Sequence, residues 1–370
     1  MMFSIYITAE ALADACLQEL SKSYSEQSEW FRILRKQEKI YTLGYTPPTA
    51  DVLSEDDFSY SGIIAGMCTA YNIQFEPADK YMISIKNDHS CVYEKPNAAF
   101  FLDISEAEAQ KIQEEYGVIC QSTEHIDSSI FTEECERYDF VKNLPVKGGW
   151  GELFEVQAKV PSNALCIIDR FLFAYDGQNN PHKSFSEEVI YNGLDTITLV
   201  LLNALPKIFG GTYHVTIVCD SKKIQNRQTL QQEVMNRISL ISAKKGYPIL
   251  ANLIAINADK APYTNSLTHN RQIISNYHNM VFENGINAIR FYHGSECTAE
   301  YTQPVQGQLL YGTGLKWQNS ECPVRSIDVT RMKFNEILKR WLKTYEQEHY
   351  YYADNLGNSS IRNFKNRLFL

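Results

Sequence analysis

Apolar positions in the second half of the chain fall into alternating blocks of two kinds. Ala164-Leu165-Cys166-Ile167-Ile168 is a short unbroken apolar run ending at Asp169, the profile of a strand buried on both faces. Across 192–209 the apolar residues recur instead at helical spacing, through Leu194, Ile197, Leu201, Leu202 and Leu205, until Pro206 ends or kinks the last turn. Residues 214–219, ending at Asp220, form a second strand. Residues 229–245, closed by Gly246, form a second amphipathic helix with Leu230, Val234, Ile238 and Ile241 on one face, and 249–256 a third strand. This rhythm predicts a largely parallel sheet with helices packed against it. Beyond it, 272–277 and 280–282 read as a hairpin turning at His278-Asn279 on the sheet edge. Residues 292–319, with Gly and Gln and few aliphatics, read as a loop, either a lid or a surface excursion. Residues 328–348 read as a long helix, with Tyr350-Tyr351-Tyr352 as its packed end.

The first half is less regular. Mixed three- and four-residue steps through Ala9, Leu12, Ala13, Cys16, Leu17 and Leu20 predict one or two helices within 5–34. Residues 60–71 read as helical, 81–85 and 98–102 as strands, 105–116 as a helix capped from Asp103 or Ser105, and 118–120 as a short strand. Residues 142–151, with Pro145, Gly148, Gly149 and Gly151, are the most punctuated stretch and the expected boundary. The expected fold is therefore α/β: a mixed sheet flanked by helices over 152–370, preceded by a smaller α+β domain over 1–145.

A chain of 370 residues, 44% of them apolar, can bury a sizeable core, and no apolar stretch is long enough to span a membrane. The start MMFSIYITAEALADAC lacks the basic region of a signal peptide, so a soluble, cytoplasmic protein is expected. The nine cysteines are scattered and never spaced as C-x-x-C, which speaks for buried reduced thiols rather than a disulfide framework or zinc knuckle.

Charge changes the picture. The net charge of −9 is unevenly held: residues 1–150 carry 12 Lys and Arg against 25 Asp and Glu, leaving 23 against 19 for 151–370. An acidic half suited to docking a protein partner is thus joined to a half that can approach phosphates, unless the asymmetry is ordinary surface composition.

The most specific candidate chemistry lies in Thr268-His269-Asn270-Arg271-Gln272-Ile273-Ile274-Ser275-Asn276. In an extended segment His269 and Arg271, two apart, leave on one face and can converge on a phosphate. Imidazole can attack phosphorus, and a guanidinium can clamp two phosphoryl oxygens. The alternative is structural: His269 caps a hairpin and Arg271 pairs with an acid such as Asp169 or Asp220. Both acids end strands, where open α/β sheets gather ligands, so they are also candidates to flank the ligand. With Glu187 or Glu188 they could form a metal site, but no metal-binding spacing supports one and none is expected. Gly148-Gly149-Trp150-Gly151 lacks the Lys and Ser/Thr of a phosphate loop, and no Gly-x-Ser-x-Gly elbow occurs, so no cofactor is called for. The tyrosine run and the cations Arg362, Lys365 and Arg367 could serve single-stranded nucleic acid.

The segment resembles the phospholipase D signature, His-x-Lys followed by four residues and then Asp, with Arg271 at the Lys place and Asn276 at the Asp place. Residues about 160–292 resemble a phospholipase D-like domain. The hairpin THNRQIISNYHNMVFENGINAI is similar to the His-Asp-Arg hairpin of the C-terminal domains of MIT-domain proteins. A bacterial group of that type, associated with phage defence, is similar in the Asn276-Tyr277 pair and in Asn366-Arg367-Leu368; Asn270 departs from the Asp of the His-Asp-Arg form. The resemblance implies a domain that acts mainly in binding, within a bacterial defence system, with Arg271, Asn276, Asn270, Asp169 and Asp220 around a phosphate-bearing ligand, nucleic acid first. Full phospholipase D enzymes unite two such motifs, and none of the other seven histidines has Lys or Arg two residues later. Turnover would need a homodimer joining two His269 residues as a phosphodiesterase or nuclease. A structural subunit of a larger complex is the remaining alternative.

Overall fold

The computed structural model describes residues 4–35, 39–43, 74–77, 98–126, 137–140, 150–154, 161–173, 187–221, 224, 226–268, 271–282, 286, 289–292, 298–301, 305–309, 327–344 and 348–369. The chain divides into two compact units, 1–136 with 310–322, and 137–309 with 323–370. The division thus precedes the Gly- and Pro-rich 142–151 stretch. Arg137–Phe140 pairs with Val305–Leu309 and so belongs to the second unit. The expected elements at 60–71 and 81–85 lie outside the described residues.

In the first unit, β1 (Ser4–Thr8), β2 (Lys39–Leu43), β3 (Gln74–Pro77), β4 (Ala98–Leu102) and β5 (Ile119–Ser122) form one sheet in the order β3-β2-β1-β4-β5, every pairing parallel. This is an α/β unit rather than the expected α+β domain. The signal was hidden at Ser4–Thr8, a strand that runs without a loop into α1 (Ala9–Glu19), so its alternation merges with helical spacing. Thr8 ends the strand and caps the helix, its Oγ1 accepting from the Ala11 N–H. After α2 (Glu29–Leu34), the third described helix, α3 (Glu106–Tyr116), behaves as expected. Ser105 caps it, Glu106 and Glu108 sit in its first turn, and Gly117 ends it at φ 64°, where a side chain would be strained. Its Ala109 and Ile112 pack with Tyr6, Phe100, Val118 and Cys120 in the core. Burial pushes the Cys120 thiol up to about 12 and that of Cys16 up to about 11, in keeping with inert, structural cysteines.

The second unit is built on an eight-stranded mixed sheet. Its strands are β6 (Arg137–Phe140), β7 (Ala164–Ile168), β8 (Tyr213–Asp220), β9 (Ile249–Ile256), β10 (Arg271–Ser275), β11 (His278–Phe282), β14 (Val305–Leu309) and β15 (Tyr350–Asp354). β12 (Ile289–Tyr292) and β13 (Thr298–Tyr301) form a separate antiparallel pair. The order is β15-β9-β8-β7-β10-β11-β14-β6, with β7, β8 and β9 parallel and the other pairings antiparallel.

Three expectations change here. The hairpin β10–β11 turns at Asn276-Tyr277, two residues earlier than read, and lies inside the sheet because β14 and β6 continue it. Part of the expected 292–319 loop is β13 and β14; in Val305–Leu309 the alternation of Val305 and Leu309 with Gln306 and Gln308 is interrupted at its centre by Gly307, and backbone pairing on both sides holds the strand. Tyr350-Tyr351-Tyr352 opens strand β15 rather than ending a helix.

The helices are α4 (Trp150–Phe154), α5 (Glu187–Ala204), α6 (Arg227–Lys245), α7 (Asn265–Thr268) and α8 (Ile327–Thr344). α6 buries Leu230, Val234, Ile238 and Ile241, is capped by Asn226, and ends at Gly246 with φ 80°. Gly193 brings α5 hard against the turn after β7. A Cβ there would meet the Leu172 carbonyl oxygen at 2.5 Å and the Phe173 ring at 2.8 Å. Gly193→Ala is accordingly expected to cost about 2–3 kcal/mol, read as a lowered thermal midpoint; an unchanged midpoint would refute this close approach.

Residues 361–369 clasp the sheet. Asn366 Nδ2 donates to Thr216 Oγ1 at 2.8 Å and to the Leu165 carbonyl at 3.2 Å, and Arg367 donates to the Thr212 carbonyl at 2.7 Å. Phe364 and Phe369 pack edge-on against Phe334 of α8. Arg367, expected in a basic tail, is a clasp residue; burial draws its guanidinium down to about 9.

Candidate functional site

The carboxyl ends of β7 and β8 and the amino end of β10 meet at one edge of the sheet, because β10 runs antiparallel to β7. Asp169, Arg170 and Phe171 follow β7, Asp220 ends β8, and Arg271 opens β10. Asp169 is 2% exposed. It works as a bracket: Oδ1 accepts from the Phe171 N–H and Oδ2 from the Ile286 N–H, both at 2.8 Å. Burial pushes its carboxyl above the ordinary carboxylate range, while those two donors and the Arg271 charge pull the other way. Asp220, also 2% exposed, accepts from Arg170 Nε at 3.0 Å. Each acid therefore has a holding task at this edge, one fixing the turn and the other fixing Arg170.

Near both arginines stands Phe171, an aromatic ring left 40% exposed. The guanidinium carbon of Arg271 lies 5.2 Å from its centroid and that of Arg170 lies 5.6 Å away. Both are at cation–π distance, and both cations are half-buried and oriented by the sheet rather than loose at the surface. Sequence reading named Arg271 and both acids but passed over Phe171 and Arg170. The signal available in the sequence was a large apolar residue beside an arginine just beyond a strand that is already fully apolar.

His269 and Asn270 lie outside the described residues. Asn276, the third position of the motif, is placed at the opposite end of β10 from Arg271, about 17 Å along the strand at roughly 3.4 Å per residue. Only 5% exposed, it ties down the start of β7. Its Oδ1 accepts from the Asn163 and Ala164 N–H groups at 2.9 and 3.2 Å, and its Nδ2 donates to Asn163 Oδ1 at 2.9 Å. The fold thus brings together Arg271, Asp169 and Asp220 but not Asn276, which is a strut at the far sheet edge.

Among the described residues, no group of three or more His, Cys, Asp or Glu is arranged to hold a metal ion. The side chains of Glu187 and Glu188 lie outside the described set. Also among the described residues, no helix is long and apolar enough to cross a membrane.

No protein-family model matches the chain, and no curated protein matches it. Among solved structures, a crystal structure of Aa-Ago with externally bound siRNA aligns with a TM-score of 0.17 and 10% identity, over 90% of this chain and 45% of that one. The chain thus spans less than half the length of that structure's chain, and a similarity of this size carries nothing about fold or activity.

Proposed function

We propose that the second unit binds a phosphate-bearing ligand, nucleic acid foremost, and that Arg271 is its principal contact. The observation that carries this reading is the exposed Phe171 ring with the guanidinium groups of Arg271 and Arg170 both at cation–π distance, at the carboxyl ends of parallel strands. A planar guanidinium grips phosphate oxygens in pairs, and an exposed aromatic face offers a base somewhere to stack. The buried Asp220 fixes Arg170 in place, which lowers the entropy lost on binding. The bacterial-defence setting is supported by the sequence resemblance alone. Docking of a protein partner on the first unit is likewise supported by its acidic balance alone.

Arg271→Ala is expected to weaken oligonucleotide binding about tenfold or more and to lower the slope of log affinity against log salt by about one, with Arg271→Lys between the two. Affinity independent of Arg271, or of salt, would exclude the reading. The same titration separates binding from turnover: the phosphodiesterase alternative requires His269→Ala to abolish hydrolysis, whereas a binding module keeps its affinity without that imidazole.

A further inference from the structure

We propose that the ligand of this edge is single-stranded nucleic acid, laid across the carboxyl ends of β7, β8 and β9 from Phe171 to a second seat at Arg227 and Tyr351. This rests on the reading of Arg271 above and extends it from one phosphate grip to a strand.

The second seat has its own geometry. Arg227, the first residue of α6, is exposed, and its guanidinium carbon stands 5.9 Å from the centroid of the Tyr351 ring. Tyr351 belongs to β15, one strand beyond β9, and its hydroxyl donates to Gln231 of α6, which fixes the ring between helix and strand. At the start of the same helix is a cavity of about 680 Å³ lined by Ile224, Asn226, Arg227 and Gln228. It is open to solvent over much of its extent rather than enclosed. Its border carries the Arg227 cation and the Gln228 amide, while the Asn226 Oδ1 is taken by the Thr229 N–H as the cap of α6.

One chemistry therefore occurs twice along a single sheet edge: guanidinium beside aromatic ring at Phe171, and again at Tyr351. From β10 to β15 the sheet crosses four strand spacings, about 19 Å. This exceeds one phosphate and corresponds to about five nucleotides at the roughly 3.4 Å rise of a stacked strand, fewer if the strand is extended. Of the described acids at this end of the sheet, Asp169 and Asp220 are buried, whereas Asp259, just past β9, and Glu348, just before β15, are exposed and set the side from which a phosphate backbone must keep its distance. Two separated aromatic faces favour a single strand, whose bases are free to stack; a duplex encloses its bases and presents only phosphates.

The test uses the full chain with short and long oligothymidylates, a duplex of the longer length, and vesicles containing phosphatidylinositol phosphates. Long oligothymidylate is expected to bind more tightly than short, and both more tightly than duplex or vesicles. Tyr351→Leu should weaken the long oligonucleotide about tenfold while Tyr351→Phe retains it, because the ring rather than the hydroxyl is used. Arg227→Ala, at an exposed position, should lower the salt slope for the long oligonucleotide by about one and leave the short one unaffected. If Arg271→Ala weakens both oligonucleotides while Arg227→Ala and Tyr351→Leu change neither, the second seat is overturned and the Arg271 grip stands. If Arg271→Ala also changes nothing, both readings fall. Equal affinity for duplex, or capture on vesicles through Arg227 in preference to oligonucleotide, overturns the single-strand assignment.

Discussion

Replacing Asn276 with alanine is expected to lower the free energy of unfolding by about 3 kcal/mol, a larger effect than any change at the exposed edge. The side chain accepts from two backbone N–H groups at the entry of β7 and donates to Asn163 Oδ1, all within the protein interior. Alanine removes those partners together, and a buried polar group that loses its partner costs about 1–3 kcal/mol. Asn276→Asp is the more pointed variant, since it restores the carboxylate of the phospholipase D pattern at that offset. It places an unneutralised charge at a 5% exposed position, at the far end of β10 from Arg271. The expected result is a destabilised protein with no phosphodiester hydrolysis. Hydrolysis appearing in Asn276→Asp would show that the two ends of β10 serve one reaction centre, and chemical denaturation of both variants would measure the strut.

Acidification is expected to produce the second large effect. His278, the first residue of β11, is fully buried, and burial draws its imidazole down to about 3; burial, helped by Lys365, draws His214 down to about 4. Both lie below the ordinary value of 6.5, so the unfolded chain takes up protons that the folded chain refuses. Stability from these groups is complete above pH 6.5 and is lost as pH falls toward the folded values, by about 1.4 kcal/mol per pH unit for each histidine. By pH 4.5 His278 alone should account for about 2–3 kcal/mol. Asp169 acts with the opposite sign: its raised folded value makes acid favour the native state at that position. Urea unfolding between pH 7 and pH 5, compared for the native chain and His278→Leu, isolates the slope from the absolute stability. An identical slope in both would rule His278 out as its source.

Where burial alone decided the outcome, the sequence was readable. The unbroken apolar runs of β7, β8 and β9 and the four buried positions of α6 follow from periodicity because one face, or both, must leave water. Ser105 and Gly117, which bound α3, are equally local signals. Order in the sheet is not local. That β10 lies beside β7, so that Arg271 reaches the end of the sheet where Asp169 and Phe171 stand, depends on pairing across about a hundred residues. Asn276 misled for the same reason: offset within a motif does not say which end of a strand a residue occupies. β14 was missed because the short alternation of Val305–Leu309 has a glycine at its centre, and the strand is fixed by backbone hydrogen bonding on both sides. Phe171, an exposed aromatic, carries no periodic signature at all.

The clasp of Asn366 on Thr216 and Leu165 sets a timetable for synthesis. β7 leaves the ribosome roughly 200 residues before the asparagine that ties it to β8, an interval of about 10–40 s at typical elongation rates. Through that interval the apolar strands β7, β8 and β9 have neither the clasp nor the β15 edge that complete their sheet. The first unit's five strands are all made by residue 122. The exposure of the second unit's unpaired apolar strands therefore ends only once residues 350–366 have been made.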